Sequence, residues 1–199
     1  YHYLKLPIKQ LTAVMPRQSV AIDPEQIMNL IATSGTINKP KAVAHNFSHH
    51  YYSAVGAAEV VPLTYEDVWL LSLPLFHVSG LAIIFRCLLA GACIAAYDKS
   101  KGLTSHLVPA TVTHLSLVNA QLHSLLNTEC LNLRDLGVTT ILLGGGTVSS
   151  ELVAKLRHQG VRVITTYGMT EMSSQICTGE PQDSSSLMTS GSVLTYREV

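Results

Sequence analysis

Charge is what this chain lacks most. Of its 199 residues only 13% are Asp, Glu, Lys or Arg, about half of the ~25% usual in soluble domains. Thirteen acidic residues cancel thirteen basic ones, so no net field favours nucleic acid or an anionic lipid surface, and neither is expected as a partner. Low charge beside 47% apolar content also excludes a disordered chain, which needs the reverse. Cysteine is scarce: Cys87, Cys93, Cys130 and Cys177 form no CxxC pair, so reduced, cytoplasmic thiols are expected rather than a disulfide framework. The longest apolar stretch, Leu81 to Tyr97, is broken by Arg86 and Gly91. A membrane span needs ~20 unbroken apolar residues, so this stretch reads as a buried helix running into a buried strand. No signal peptide opens the chain; it starts Tyr1-His2-Tyr3 and reads as a piece or a trimmed product.

What is present is alternation. Gln26 to Thr33 reads as a buried strand feeding a polar turn, and Phe47 to Val60 as a helix with Ser48 as its N-cap. Trp69 to Leu73 is strand-like and Ser79 to Ala90 helical, closed by Gly91; Cys93 to Tyr97 follows as a strand. Thr111 to Val118 is a strand before a helix over Ala120 to Leu126. Val138 to Leu143 ends in three glycines, Ser149 to Gln159 is a helix, and Val161 to Thr166 a strand. Several strands are apolar on both faces, which predicts an α/β fold with a mostly parallel sheet flanked by helices. The expected organisation is a leading segment over 1–22, a binding core over 23–178, and a loop over 179–199.

In such sheets ligands bind beyond the carboxyl ends of strands. Three unusual segments are expected there. Thr33-Ser34-Gly35-Thr36-Ile37-Asn38-Lys39-Pro40-Lys41 offers hydroxyls, backbone amides and ammonium groups, the materials that hold a polyphosphate, although its composition also suits a surface turn. Gly144-Gly145-Gly146 lets a flat ring approach the backbone, or makes a sharp turn and nothing more. Tyr167-Gly168-Met169-Thr170-Glu171 sets a hydroxyl beside a carboxylate, which suits a Mg²⁺-bridged phosphate as well as a plain capping role.

Taken together and in this order, TSGTINKPK, GGG and YGMTE resemble the phosphate loop, adenine turn and third signature of the adenylate-forming enzymes, the acyl-CoA synthetase superfamily. The stretch Leu71 to Gly80 (LSLPLFHVSG), with Pro40 to Val43 and Ser116 to Val118, looks like the o-succinylbenzoate–CoA ligases of menaquinone biosynthesis. The resemblance implies the core of a large N-terminal domain, with the mobile C-terminal domain lying outside this chain. It implies ATP, Mg²⁺ and coenzyme A as substrates and activator, and a small-molecule carboxylic acid as the partner to be activated. Thr33, Ser34, Gly35, Thr36 and Lys41 would bind the ATP phosphates. Gly144, Gly145, Gly146 and Tyr167 would receive adenine. Thr170, Glu171 and His77 would be catalytic, with Glu171 the Mg²⁺ ligand. His77, Val78, Ser79 and Gly80 would line the pocket for the acyl group and coenzyme A. Ile37 and Asn38 stand where the family's loop carries Thr and Gly. Because this is a core piece, the resemblance also implies that the chain alone makes acyl-adenylate poorly. Two other readings stay open, a different acyl- or aryl-CoA synthetase and a non-catalytic nucleotide-binding relative; self-association stays open too.

Other features carry less. His45, His49 and His50 invite a metal, but no Cys or carboxylate completes the set, and a wet helix face is the expectation. No G-x-S-x-G elbow points to a hydrolase.

Overall fold

The alternating runs assemble into a seven-stranded sheet and a separate hairpin. The computed structural model describes residues 21–33, 41–107, 111–126, 131–146, 148–180 and 190–198. The sheet runs β4 (Cys93–Ala95), β3 (Val68–Leu70), β5 (His114–Val118), β6 (Thr140–Gly144), β7 (Arg162–Met169), β8 (Ser174–Gly179) and β9 (Ser192–Val193). The first five are mutually parallel; β8 and β9 are antiparallel additions at one edge. The expected α/β fold with a mostly parallel sheet is the one observed.

Side chains alternate across the central strands, and each face finds its own cover. Leu115, Leu117, Ile141, Leu143 and Val163 enter one core, beneath α4 (Asn119–Leu126) and α5 (Ser150–His158), which supply Leu122, Leu125, Val153 and Leu156. Trp69, Leu142 and Ile164 enter the other, against Ile83 and Cys87 of α2 (Val78–Ala90). Two-sided burial is why these strands read as continuous apolar runs rather than alternating ones. Helix α2 ends where expected, with Gly91 at φ 69° accepting the left-handed turn. A short helix, α3 (Thr104–Leu107), links β4 to β5. No helix among the described residues is long and apolar enough to cross a membrane.

Three expectations change. The run before Ser34 is a strand, β1 (Ile27–Thr33), but it is not a buried member of the sheet. It pairs antiparallel with β2 (Lys41–Asn46), and Ile27, Met28 and Leu30 are exposed. Only Ile31 is buried there, so apolar content marked a strand without revealing its partner. Helix α1 (Phe47–Ala58) is capped by Asn46, not Ser48: Asn46 Oδ1 accepts from the His49 amide at 2.9 Å, and His49 Nδ1 accepts from the Asn46 amide at 3.3 Å. That reciprocal pair satisfies two otherwise orphaned donors, while Ser48 turns its hydroxyl to Asn46 Oδ1 and to Glu25. Finally, the polar end of the chain is not all loop, since Ser192–Val193 completes the sheet edge and Leu194 is buried. Residues 1–20 of the leading segment lie outside the described residues.

Candidate functional site

Strands β5, β6 and β7 end side by side, and a cleft of about 260 Å³ opens at those ends. Its walls come mainly from the start of α2 (His77, Val78, Ser79), the end of β5 (Ser116 to Val118), the glycines after Leu143, and the segment from Thr166 to Gln175, with Leu73, Arg86 and Leu142 between them. The chain turns at the carboxyl ends of parallel strands, so functional groups from separate strands converge there.

Gly144 and Gly145 line this cleft. Gly145 adopts φ 83°, and a Cβ on it would stand 3.3 Å from Val118 Cγ1, so a flat ligand can reach the backbone where a side chain would crowd the wall. Gly146 is exposed just beyond. Val78 and Ser79 line the cleft at the first turn of α2, with His77 at the N-cap and its ring 4.6 Å from that of Phe76. Gly80 is not on the wall; it is buried beneath that turn against the Pro74 carbonyl.

Thr170 lines the cleft, and Glu171 follows it on a 3-10 turn over Thr170–Met172. Glu171 is exposed, and no described residue takes its carboxylate in a hydrogen bond or ion pair. A free carboxylate beside a cleft is a donor that Mg²⁺ can take, one carboxylate plus oxygens of a substrate. Tyr167 is exposed on β7 next to the cleft. Among the described residues no group of three His, Cys, Asp or Glu could hold a metal by itself.

Of the expected phosphate loop, the structure describes only the two ends. Thr33 and Lys41 face each other as the last pair of the β1–β2 ladder; Ser34, Gly35, Thr36, Ile37 and Asn38 lie outside the described residues. Thr33 therefore ends a strand of the antiparallel hairpin, not a strand of the parallel sheet.

Reasoning from sequence missed the role of Arg86 and misplaced a second group. Arg86 is 4% exposed, yet its guanidinium lines the cleft, stacks over Trp69 at 5.5 Å and donates to Gln175 Oε1. Burial pushes its pKa down to about 10, so at neutral pH it stays charged. Among the described residues no carboxylate lies within ion-pair distance of it, and its Nε has no partner. The Ser116 hydroxyl, buried in the same wall, is also without one. The only signal was a lone Arg in the middle of an apolar run.

The second group is a set of histidines. The wet helix face expected for them is wrong for two: His45 and His50 are each 1% exposed, and only His49 faces solvent. His45 lies on β2 of the hairpin rather than on the helix. Burial first, then the neighbouring His45 and His49, push the His50 pKa down to about 4. Unfolding returns it to the ordinary 6.5, so between those values the unfolded chain binds the extra proton. Stability is expected to be level above pH 6.5 as far as His50 is concerned, and to fall as the pH drops from 6.5 towards 4. Urea midpoints across that window, wild type against His50→Gln, check it; the variant should lose part of the slope.

A family profile described as AMP-binding enzyme matches residues 4–199. Over 176 residues the chain is 40% identical to the 2-succinylbenzoate–CoA ligase of Escherichia coli (strain K12), covering 88% of this chain and 37% of that protein. It is 40% identical over 155 residues to the ligase of the same name from Bacillus subtilis (strain 168), covering 77% of this chain and 32% of the relative. Among solved structures, an arginine-to-lysine variant of E. coli MenE with bound OSB-AMS superposes with a TM-score of 0.79 at 37% identity, over 94% of this chain and 40% of that one. MenE from Bacillus subtilis in complex with ATP and a magnesium ion gives 0.75 at 34% identity, over 90% and 38%. The chain thus spans roughly two-fifths or less of the length of these relatives.

Proposed function

We propose that this chain, which belongs to the AMP-binding enzyme family, is the nucleotide- and acid-binding core of a ligase that activates o-succinylbenzoate with ATP and passes it to coenzyme A. The step belongs to menaquinone biosynthesis and would run in the cytoplasm. A carboxylate oxygen of the acid attacks the α-phosphorus of ATP, and the bond to pyrophosphate breaks to leave an acyl-adenylate. The thiol of coenzyme A then attacks the acyl carbon, loses its proton, and AMP departs. Neither step needs a strong side-chain base; both need the reactants held in line and the phosphate charge offset.

The chain's residues divide this work. The backbone at Gly144 and Gly145 receives adenine, with Gly146 and Tyr167 at its edge. Thr170 offers its hydroxyl at the α-phosphate, Lys41 and the hydroxyls from Thr33 to Thr36 hold the outer phosphates, and His77, Val78 and Ser79 wall the acyl side. Glu171 is the residue to hold Mg²⁺, which neutralises phosphate charge when bound.

The observation that carries the choice of acid is Arg86. A buried guanidinium with no acidic partner carries a large desolvation penalty, and here it faces the cleft beside the orphaned Ser116 hydroxyl. An acid with a second carboxylate supplies the missing anion, and o-succinylbenzoate is such a diacid. A simple fatty or aryl acid leaves Arg86 unpaired.

The test is acid-driven exchange of pyrophosphate into ATP by the protein at its full natural length, comparing o-succinylbenzoate with benzoate. Much faster exchange with the diacid is expected. Equal rates would remove the substrate assignment. No exchange with any acid, beside retained Mg·ATP binding, would favour a non-catalytic nucleotide-binding protein.

A further inference from the structure

The β1–β2 hairpin bears Thr33 and Lys41, two of the groups proposed to hold phosphate, yet among the described residues no backbone pairing joins it to the large sheet. Something else must hold its register against the cleft. Glu25 ties its base to α1, accepting from Asn46 Nδ2 at 3.0 Å and from the Ser48 hydroxyl at 3.3 Å. One hydrogen bond among the described residues runs from the hairpin to the segment of the cleft that bears Thr170 and Glu171. His45 Nε2 lies 2.7 Å from the Thr170 carbonyl oxygen. A carbonyl has no hydrogen to give, so His45 donates, whatever the state of its other nitrogen.

The surroundings make this contact specific. His45 is 1% exposed, and Asn29 of β1 stands between it and His50, 3.3 Å from His45 Nδ1 and 2.8 Å from His50 Nε2. His50 Nδ1 in turn lies 3.0 Å from the Ser173 hydroxyl, and Ser53 donates to the Ser173 carbonyl at 2.6 Å. Ser173 and Ser174 have φ 52° and 98°, a backbone that non-glycine residues adopt at a cost and keep only when neighbours over-determine it. The Thr170 carbonyl also accepts from the Ser173 amide at 3.0 Å, so His45 holds the same oxygen that closes the strained turn.

We infer that His45 is a positioning residue. Through the Thr170 carbonyl it fixes the spacing between the end of the hairpin that bears Thr33 and Lys41 and the Thr170–Glu171 segment, so that both reach one nucleotide. This rests on the proposed reading in which those two segments share a triphosphate; the mechanical link itself does not.

The experiment compares His45→Gln with His45→Asn in the protein at its full natural length. The glutamine amide reaches as far as Nε2 and can still donate to Thr170; the asparagine amide reaches only as far as Nδ1 and cannot. Two readouts are taken: hydrogen exchange of amides 167–174, and Mg·ATP affinity by calorimetry. The expected result is wild-type protection and affinity in His45→Gln, against faster exchange and about tenfold weaker nucleotide binding in His45→Asn. If the two variants behave alike, whether both as wild type or both impaired, His45 does not act through Thr170 and the inference falls. If wild type binds no nucleotide, the proposed function fails instead, while the exchange comparison still decides the link.

Discussion

Replacing Arg86 with methionine should abolish the preference for a diacid while leaving the fold as stable as before or more so. The two effects have opposite signs because one cause drives both. In the free protein Arg86 is 4% exposed and its guanidinium donates to Gln175 and stacks on Trp69, but it meets no carboxylate among the described residues. Removing a buried charge of that kind relieves desolvation, and apolar replacements of buried ionic groups are often neutral or stabilising by about 1–4 kcal/mol. With a second substrate carboxylate in place the balance reverses, since a desolvated charge pair is then lost. On the order of a hundredfold loss in kcat/KM is expected for o-succinylbenzoate, about 2.7 kcal/mol, with little change for benzoate. Thermal unfolding and exchange assays on the same preparation separate the two. Equal losses for both acids, or a fold that collapses, would assign Arg86 a structural role only.

Gly168→Ala should be the most damaging small substitution in the site. A Cβ at this position would stand 2.0 Å from the Ser174 carbonyl oxygen and 3.1 Å from Gln175 Cα. Both are backbone, at the irregular step where β7 and β8 pair, so neither can swing aside as a side chain would. Overpacking against a fixed neighbour costs about 1–3 kcal/mol and more when backbone must move; at roughly 2–4 °C per kcal/mol for a chain of this size, the midpoint should drop by at least 6 °C or so. The displaced strand would also carry Thr170 and Glu171 away from the cleft, so nucleotide binding should weaken beyond what stability explains. Gly144→Ala is the control for stability alone. Its Cβ would meet the Thr166 methyl at 3.2 Å, which can give way, and the Thr166 carbonyl oxygen at an ordinary 3.8 Å. A Gly168→Ala variant as stable as Gly144→Ala would refute this packing account.

Both sites illustrate what a linear sequence discloses. The parallel strands were legible because burial on two faces erases polar alternation, as in β5 and β6, and the glycines after Leu143 marked the strand end where the cleft opens. The hairpin was only half legible: Gln26 to Thr33 has the composition of a core strand, but apolar content does not say which strand lies alongside. Strand β8 was missed since SQICTG is mixed in polarity, its polar side chains buried through Arg86, Thr166 and Thr178. Such pairing between distant residues has no local signature. The same holds for His45, whose partner lies 125 positions away, and for Arg86, which looked like a blemish in an apolar helix.

The stacking of Arg86 on Trp69 has a practical corollary. Trp69 is the chain's sole tryptophan, wholly buried, and the cation above it forms part of the cleft floor. Indole emission responds to a nearby charge, so the protein has its own optical reporter on the face where an acid would dock, readable in a cuvette without a label or a coupled enzyme.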